Sequence, residues 1–237
     1  MKKPWLSTSA LSIFRDCPRC FWQDKNAKVP RPRGIMSSLP NGLDLLIKDY
    51  HDAHRLAGTL PPELKGKIPG KLYPDIIKLT KMRHWKTGLS ADLGFAIIGG
   101  ALDDLLMEVF YSPYDYKTKG SSPGEGYAEK YYEPQGDHYS LLFKENNMPP
   151  SGKAVFAFYS PLSIQGLNEV SVSIPFEVKV VIIESSAERG RELVAKAAEC
   201  LAGSLPPPSE KCEYCALIKI RNNVDESPAG LLEEIPI

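Results

Sequence analysis

Hydrophobic and polar residues alternate with helical and with strand periods in different parts of this chain. Apolar residues recur every three or four positions over residues 41–57 and 187–202, which predicts an amphipathic helix in each segment. Shorter helices are predicted over 7–14 and 74–86. These segments supply the helical part of the fold.

Strand-forming runs separated by turn signals occupy the middle of the sequence. The runs GFAIIGG, LDDLLMEVF and SPYDYKTKG come first, and KAVFAFYS and IPFEVKVVII follow. The run QGDHYSLLFKEN, which lies between the two groups, reads as a helix. The pattern therefore predicts an α/β fold with a mixed central sheet flanked by helices.

Composition narrows the class of protein. The chain has 237 residues, 43% of them hydrophobic, so it can bury a core and suits a single domain. Its 29 basic and 29 acidic residues cancel, which excludes a general polyanion binder and leaves only local basic patches for nucleic acid. Residues 15–33 form one such patch, interleaved with Phe21 and Trp22, although an ordinary solvated face has the same composition.

Four of the five cysteines form two C-x-x-C pairs near opposite ends of the chain: Cys17, Cys20, Cys212 and Cys215. Four thiolates are the usual ligands of zinc or of an iron–sulfur cluster. Disulfides or free thiols are the alternative, but the N-terminus lacks the features of a secretory signal and no run is long enough to span a membrane. We therefore expect a cytoplasmic protein with reduced, metal-binding cysteines, and Cys200 as an apolar helix residue.

Candidate chemistry lies in the strand region, at Asp103, Asp115 and Lys117. On adjacent antiparallel strands, the two carboxylates and the lysine can meet at one end of a sheet. Crowded carboxylates repel one another unless a divalent cation such as Mg²⁺ or Mn²⁺ neutralises them. Taken alone, these residues favour a plainer interpretation as turn aspartates and a solvated lysine.

The order of the motifs changes that interpretation. Three short motifs follow one another along the chain: Gly-x-x-Asp ending at Asp103, D-x-K at residues 115–117, and Q-x-x-x-Y at Gln135 and Tyr139. We expect the third motif at the start of a helix. The set is enclosed by CPR near the N-terminus and C-x-x-C near the C-terminus. This arrangement resembles the RecB-type branch of the PD-(D/E)xK nucleases, especially members with an iron–sulfur cluster, such as AddB-type helicase-nucleases and CRISPR-adaptation exonucleases.

The resemblance implies a role for each matched residue. Asp103 and Asp115 match metal-binding acids, and Lys117 matches the catalytic lysine. Gln135 and Tyr139 match residues of the helix that lines the active site and contacts the DNA strand. Cys17, Cys212 and Cys215 match ligands of the four-iron four-sulfur cluster.

The sequence departs from the family pattern at two places. The family often has a fourth ligand cysteine after the C-terminal pair, whereas here Cys20 takes that role in a two-plus-two arrangement that zinc also accepts. The family also often has a histidine four residues after a glycine in the first core helix, and counting from Gly42 gives Leu46. The divalent-cation site is therefore expected to have one protein ligand fewer.

We therefore predict a single nuclease domain over residues 1–237, with a core of about 41–203 and cysteine segments 1–34 and 204–220 packed together. The predicted function is Mg²⁺- or Mn²⁺-dependent hydrolysis of DNA, with single strands or ends favoured, in repair, recombination or defence. Arg19, Trp22, Gln135 and Tyr139 are expected to contact the nucleic acid. A catalytically inactive nucleic-acid-binding or scaffold protein with this fold is the alternative, and a zinc-knuckle interaction module with an unrelated middle is a second one.

Overall fold

The computed structural model describes residues 3–32, 34, 38–68, 70–164 and 173–225. The α-helices are α1 (Thr8–Asp16), α2 (Pro18–Trp22), α3 (Ser38–Leu56), α4 (Ile76–Arg83), α5 (Tyr127–Glu145), α6 (Ala187–Ala202) and α7 (Glu213–Asp225). The strands are β1 (Trp5–Ser7), β2 (Lys71–Leu72), β3 (Leu89–Asp92), β4 (Ile97–Gly100), β5 (Asp104–Met107), β6 (Tyr111–Thr118), β7 (Lys153–Pro161) and β8 (Phe176–Glu184). A π-helical turn (Gln23–Ala27) and a 3₁₀ turn (Pro62–Leu64) complete the described elements.

The strands form two sheets rather than the one central sheet that the sequence predicted. The larger sheet has the order β2-β5-β6-β7-β8, and the smaller one has the order β1-β4-β3. Both are mixed, since β6 runs parallel to β7 and β1 runs parallel to β4, whereas the remaining pairs are antiparallel. The predicted α/β class with helices flanking mixed sheets is thus confirmed.

Helix α5 is the crossover between the parallel strands β6 and β7, so it lies across the sheet that carries the candidate residues. Its second half is buried, and Leu141, Leu142 and Phe143 join the main hydrophobic core. Helix α6 packs against α5 and contributes Val194 and Ala197 to the same core. This packing fixes the height and rotation of α5 above the β-strands.

Helix α6 agrees with the sequence pattern at both ends, whereas α3 begins earlier than predicted, at Ser38, and α2 and α7 were not predicted as helices. The helix predicted over 187–202 is observed at those residues, with Ser186 as its N-cap. By contrast, α5 begins at Tyr127, well before the QGDHY run, and contains Pro134 in its interior. Pro134 lacks the N–H of a helical hydrogen bond, but the tertiary packing of α5 outweighs this loss.

The two ends of the described chain meet beside α6. Helix α2 packs on α6, and the indole Nε1 of Trp22 donates to the carbonyl of Gly203 at 3.0 Å. An arginine of the same helix, Arg19, donates to the carbonyl of Pro206 at 3.4 Å. These contacts bring the two cysteine segments together. No helix in the described ranges is both long and apolar enough to cross a membrane.

Candidate active site and cysteine site

The β5–β6 hairpin brings the two candidate acids together. Asp104 pairs with Tyr114 in the antiparallel register, so Asp103, one residue before β5, lies opposite Asp115 on β6. Asp115 and Lys117 are two residues apart on β6 and therefore share one face of the sheet. The Lys117 Nζ lies 2.5 Å from Oδ2 of Asp115. The three side chains thus meet at one end of the sheet, as the sequence predicted.

Asp115 is buried, with 4% of its surface exposed. Its Oδ2 contacts Lys117 as an ion pair, but it accepts no aligned hydrogen bond from any group in the described part of the chain. Burial, together with the nearby charge of Asp103, raises the pKa of Asp115 to about 7, against the opposing effect of Lys117. A divalent cation held by the two carboxylates would relieve this repulsion.

Gln135 connects the lysine to the buried acid. Its side-chain Nε2 donates to Oδ1 of Asp115 at 2.6 Å, and its Oε1 accepts from the Lys117 Nζ at 3.2 Å. The lysine ammonium also lies 4.7 Å from the ring centroid of Tyr132, one helical turn before the glutamine. The amide therefore fixes the relative orientation of the carboxylate and the ammonium group.

Tyr139 holds the loop that carries Asp103. The tyrosine is 6% exposed, and its hydroxyl donates to the carbonyl of Ala101 at 2.7 Å. A Cβ on Gly100 would lie 3.0 Å from the tyrosine ring, so a larger residue there would require the ring to shift by a few tenths of an ångström. Gln135 and Tyr139 lie in the middle of α5 rather than at its start, because α5 begins at Tyr127.

Two residues of α3 that the sequence analysis did not select also reach the acid site. The Lys48 Nζ lies 3.0 Å from Oδ1 of Asp103 and 2.7 Å from Oδ2 of Asp44. Although burial alone lowers the pKa of Lys48, the charges of Asp103 and Asp44 raise it above its usual value, so the ammonium stays charged. The i, i+4 spacing of Asp44 and Lys48 was the one sequence signal for this pair.

A buried network of ion pairs lies next to the acid site and holds the backbone of Asp103. The guanidinium of Arg83 donates through Nε to the backbone carbonyl of Asp103 at 2.7 Å and pairs with Asp52. Next to it, Arg55 and Asp104, both almost fully buried, form an ion pair at 2.5 Å. The network anchors the backbone of Asp103 to helices α3 and α4.

A groove of about 490 Å³ opens beside Lys117 between α1 and α5. Arg15 lines it from α1, and Tyr131 and Gln135 line it from α5. Tyr131 is 52% exposed and packs against Tyr127, with ring centroids 4.8 Å apart. The groove therefore offers a cationic and an aromatic side chain next to the acids.

The structure places Arg19 and Trp22 elsewhere. Both make hydrogen bonds to backbone carbonyls between Gly203 and Pro206, and neither lines the groove beside Lys117. Arg19 instead lines a separate hollow next to Cys212 and Cys215. Their predicted contact with nucleic acid stays a prediction.

The four cysteines of the two C-x-x-C pairs converge, and their sulfur atoms all lie within 4.8 Å of one another. The Sγ atom of Cys20 lies 3.5 Å from the Sγ of Cys212 and 3.6 Å from the Sγ of Cys215. The Sγ atoms of Cys17 and Cys215 are 3.9 Å apart. Three of the four residues are buried. Such a cluster could hold a metal ion or an iron–sulfur cluster.

Neighbouring groups donate hydrogen bonds to these sulfurs. The Ser209 N–H lies 3.5 Å from the Cys17 Sγ, and the Arg31 Nη2 lies 3.5 Å from the Cys212 Sγ. Burial opposes ionisation of Cys17, but the Ser209 N–H, the Cys20 N–H and contacts with the Cys212 and Cys20 thiols lower the pKa of Cys17 to about 6. Cys200 is outside the group and packs against the main core.

Comparison with known proteins identifies the family. A family model described as the PD-(D/E)XK nuclease superfamily matches residues 81–220, which include the candidate acids, Lys117 and the second cysteine pair. No curated protein matches the sequence. A solved structure titled "Crystal structure of SSO0001" is similar at 15% identity, covering 93% of this chain and 86% of that chain, with a TM-score of 0.46. Because the family model matches more than half of its residues, the chain belongs to the PD-(D/E)XK nuclease superfamily.

Proposed function

We propose that this protein is a metal-dependent nuclease that hydrolyses phosphodiester bonds of DNA. The observation that carries the proposal is the meeting of Asp103, Asp115 and Lys117, in which two carboxylates lie close together and the Lys117 ammonium contacts the buried Oδ2 of Asp115. Nucleases of this superfamily generally use divalent metals. The donor set of hard carboxylate oxygens suits Mg²⁺ or Mn²⁺.

Asp103 and Asp115 would hold the cation, which when bound supplies Lewis-acid stabilisation of the phosphate and lowers the pKa of water. In hydrolysis, a water oxygen forms a bond to phosphorus as the ester bond to the leaving oxygen breaks, and that oxygen takes up a proton. Lys117 can orient the water and offset negative charge on a phosphoryl oxygen. Gln135 keeps the lysine next to Asp115, and Tyr139 keeps the Asp103 loop in place.

The groove between α1 and α5 is the proposed path of the strand. Arg15 can contact a phosphate, and the exposed ring of Tyr131 can stack on a base, which an unpaired strand presents. This combination supports a single strand or a frayed end as the substrate. DNA rather than RNA, and a role in repair, recombination or defence, rest on the family resemblance.

The alternative function is a nucleic-acid-binding or scaffold protein that kept the nuclease fold without its activity. One observation favours it: the α3 residue closest to Asp103 is the charged Lys48, not a neutral metal ligand. Binding and cutting separate the two functions. The scaffold reading predicts binding of DNA without cleavage under any divalent cation.

The test is a cleavage assay on a labelled single-stranded DNA, a duplex and an RNA of the same sequence, with Mg²⁺ or Mn²⁺. We expect cleavage of the single-stranded DNA only when a cation is added. Lys117→Met should lower the rate about 100-fold or more while strand binding persists, because loss of an electrostatic stabiliser typically costs that much. Tight binding by the wild type without any cleavage would establish the scaffold function instead.

For the cysteine site, we propose a single zinc ion rather than the four-iron four-sulfur cluster that the resemblance implies. Zinc binds sulfur at about 2.3 Å, so a tetrahedral site separates its sulfurs by about 3.8 Å. Three of the six separations are 3.5, 3.6 and 3.9 Å, and all six are within 4.8 Å, which is closer to that spacing than to a larger cluster. A four-iron cluster binds each thiolate to a different iron of a cube, which requires sulfurs further apart.

The role of this zinc site is structural. All four ligand positions come from the protein, which leaves no open position for a substrate. The site joins segments that are almost the whole chain apart, so its binding free energy contributes to the folding free energy. It thereby fixes α1, one wall of the groove, relative to the rest of the fold.

A further inference from the structure

Lys48 contacts Asp103 from α3, the helix in which the family resemblance expects a histidine ligand. Leu46, the residue at the expected spacing, is 66% exposed and belongs to the outer face of α3. The Lys48 side chain is only 20% exposed and bridges Asp103, at 3.0 Å, and Asp44, at 2.7 Å. An ammonium group has three donors and no lone pair, so it cannot coordinate a metal.

The charges at the site limit how many cations it can take. Three carboxylates, those of Asp44, Asp103 and Asp115, face two ammonium groups, those of Lys48 and Lys117. With all five groups ionised, the assembly carries one net negative charge. One divalent cation reverses this charge, and a second one would add further repulsion in a half-buried setting where charges are only partly screened.

We propose that Lys48 is a built-in cation that takes the place of a second divalent ion, so that the acid site binds one cation. It is a positioning residue, because it acts through the carboxylates of Asp103 and Asp44. The inference rests on the proposed nuclease function. It assigns the cation of the reaction to the Asp103–Asp115 side of the site and the lysine to the side that faces α3.

The test is a count of bound Mn²⁺ by electron paramagnetic resonance of the free ion, without nucleic acid or turnover. Wild-type protein should bind one Mn²⁺ per chain. Lys48→Met removes the charge at similar side-chain length and leaves Asp44 and Asp103 free to share a cation, so this variant should bind two. Lys48→Arg keeps the charge and should bind one, as the matched control.

Thermal unfolding provides a second readout and a check on folding. Added Mn²⁺ should raise the Tm of Lys48→Met more than that of the wild type, since an additional ion binds only the native state. One Mn²⁺ in both proteins, or two in the wild type, would overturn the inference while leaving the proposed nuclease function intact. A wild-type protein that binds no Mn²⁺ would overturn both.

Discussion

Asp115 is a buried acid, and its negative charge lowers the stability of the protein when no cation is bound. We therefore expect Asp115→Asn to stabilise the metal-free protein, although the same substitution should abolish nuclease activity. Raising the carboxyl pKa from 3.8 to about 7 disfavours the ionised form by about 4 kcal/mol, at about 1.4 kcal/mol for each pKa unit. The native state holds its proton up to higher pH than the unfolded state does. Stability of the wild type therefore falls as the pH rises from about 4 to about 7 and is then level.

The neutral amide does not have this pH dependence. The difference in unfolding free energy between Asp115→Asn and wild type should grow from near zero at pH 4 to about 2–3 kcal/mol at pH 8. We expect less than the full 4 kcal/mol because Lys117, with a side chain 21% exposed, loses its partner in the variant. The assay is urea unfolding at several pH values, in buffer without magnesium or manganese.

Asp49→Asn is the matched control, since Asp49 lies on the exposed face of α3. Its effect on unfolding should not grow over the same pH range. Added Mn²⁺ should stabilise the wild type and not Asp115→Asn, so that the wild type becomes the more stable of the two proteins. The reasoning is refuted if Asp115→Asn is equally stable to the wild type at pH 8, or if the difference does not change with pH.

Three further predictions concern other parts of the molecule. Elemental analysis after anaerobic purification should give about one zinc and no iron per chain, and four irons would contradict the proposed site. Cys212→Ser should lose the zinc, whereas the control variant Cys200→Ser should keep it. Arg15→Ala should weaken binding of single-stranded DNA, and the slope of log affinity against log salt concentration should fall by the amount expected for about one lost phosphate contact. An unchanged slope would show that the strand does not bind in the groove. Arg55→Met should cost about 3 kcal/mol of stability in urea unfolding, because the buried Asp104 keeps only Arg83, at 3.5 Å, as a cationic partner. A cost below about 1 kcal/mol would rule out a stabilising role for the Arg55–Asp104 pair.

Much of the fold could be predicted from local sequence. The limits of α6 follow from Ser186, an N-cap, and from the helical period up to Gly203. The start of α5 could not be predicted, because Pro134 and the tyrosine-rich segment before it are poor helical signals that tertiary packing overrides. The division into two sheets depends on pairing between distant strands, such as β1 with β4, which no local pattern specifies.

The candidate site was predictable where its residues are close in sequence. Asp115 and Lys117 lie on one strand, and the short hairpin places Asp103 opposite them. Lys48 could not be selected, because its approach to Asp103 depends on how α3 packs against the hairpin. Tyr131 was missed for the same reason, and Arg15 was predicted only as part of the basic patch over residues 15–33, since the groove forms only when α1 and α5 meet.

The most direct test of the central claim is the rate of Mn²⁺-dependent cleavage of a single-stranded DNA by the wild type and by Asp103→Asn. The variant keeps the shape of the side chain but removes one of the two charges that would hold the cation. The account predicts cleavage by the wild type only with a cation, and a rate lower by about 100-fold or more for a correctly folded variant. Equal rates for the two proteins, or wild-type cleavage without any divalent cation, would contradict it.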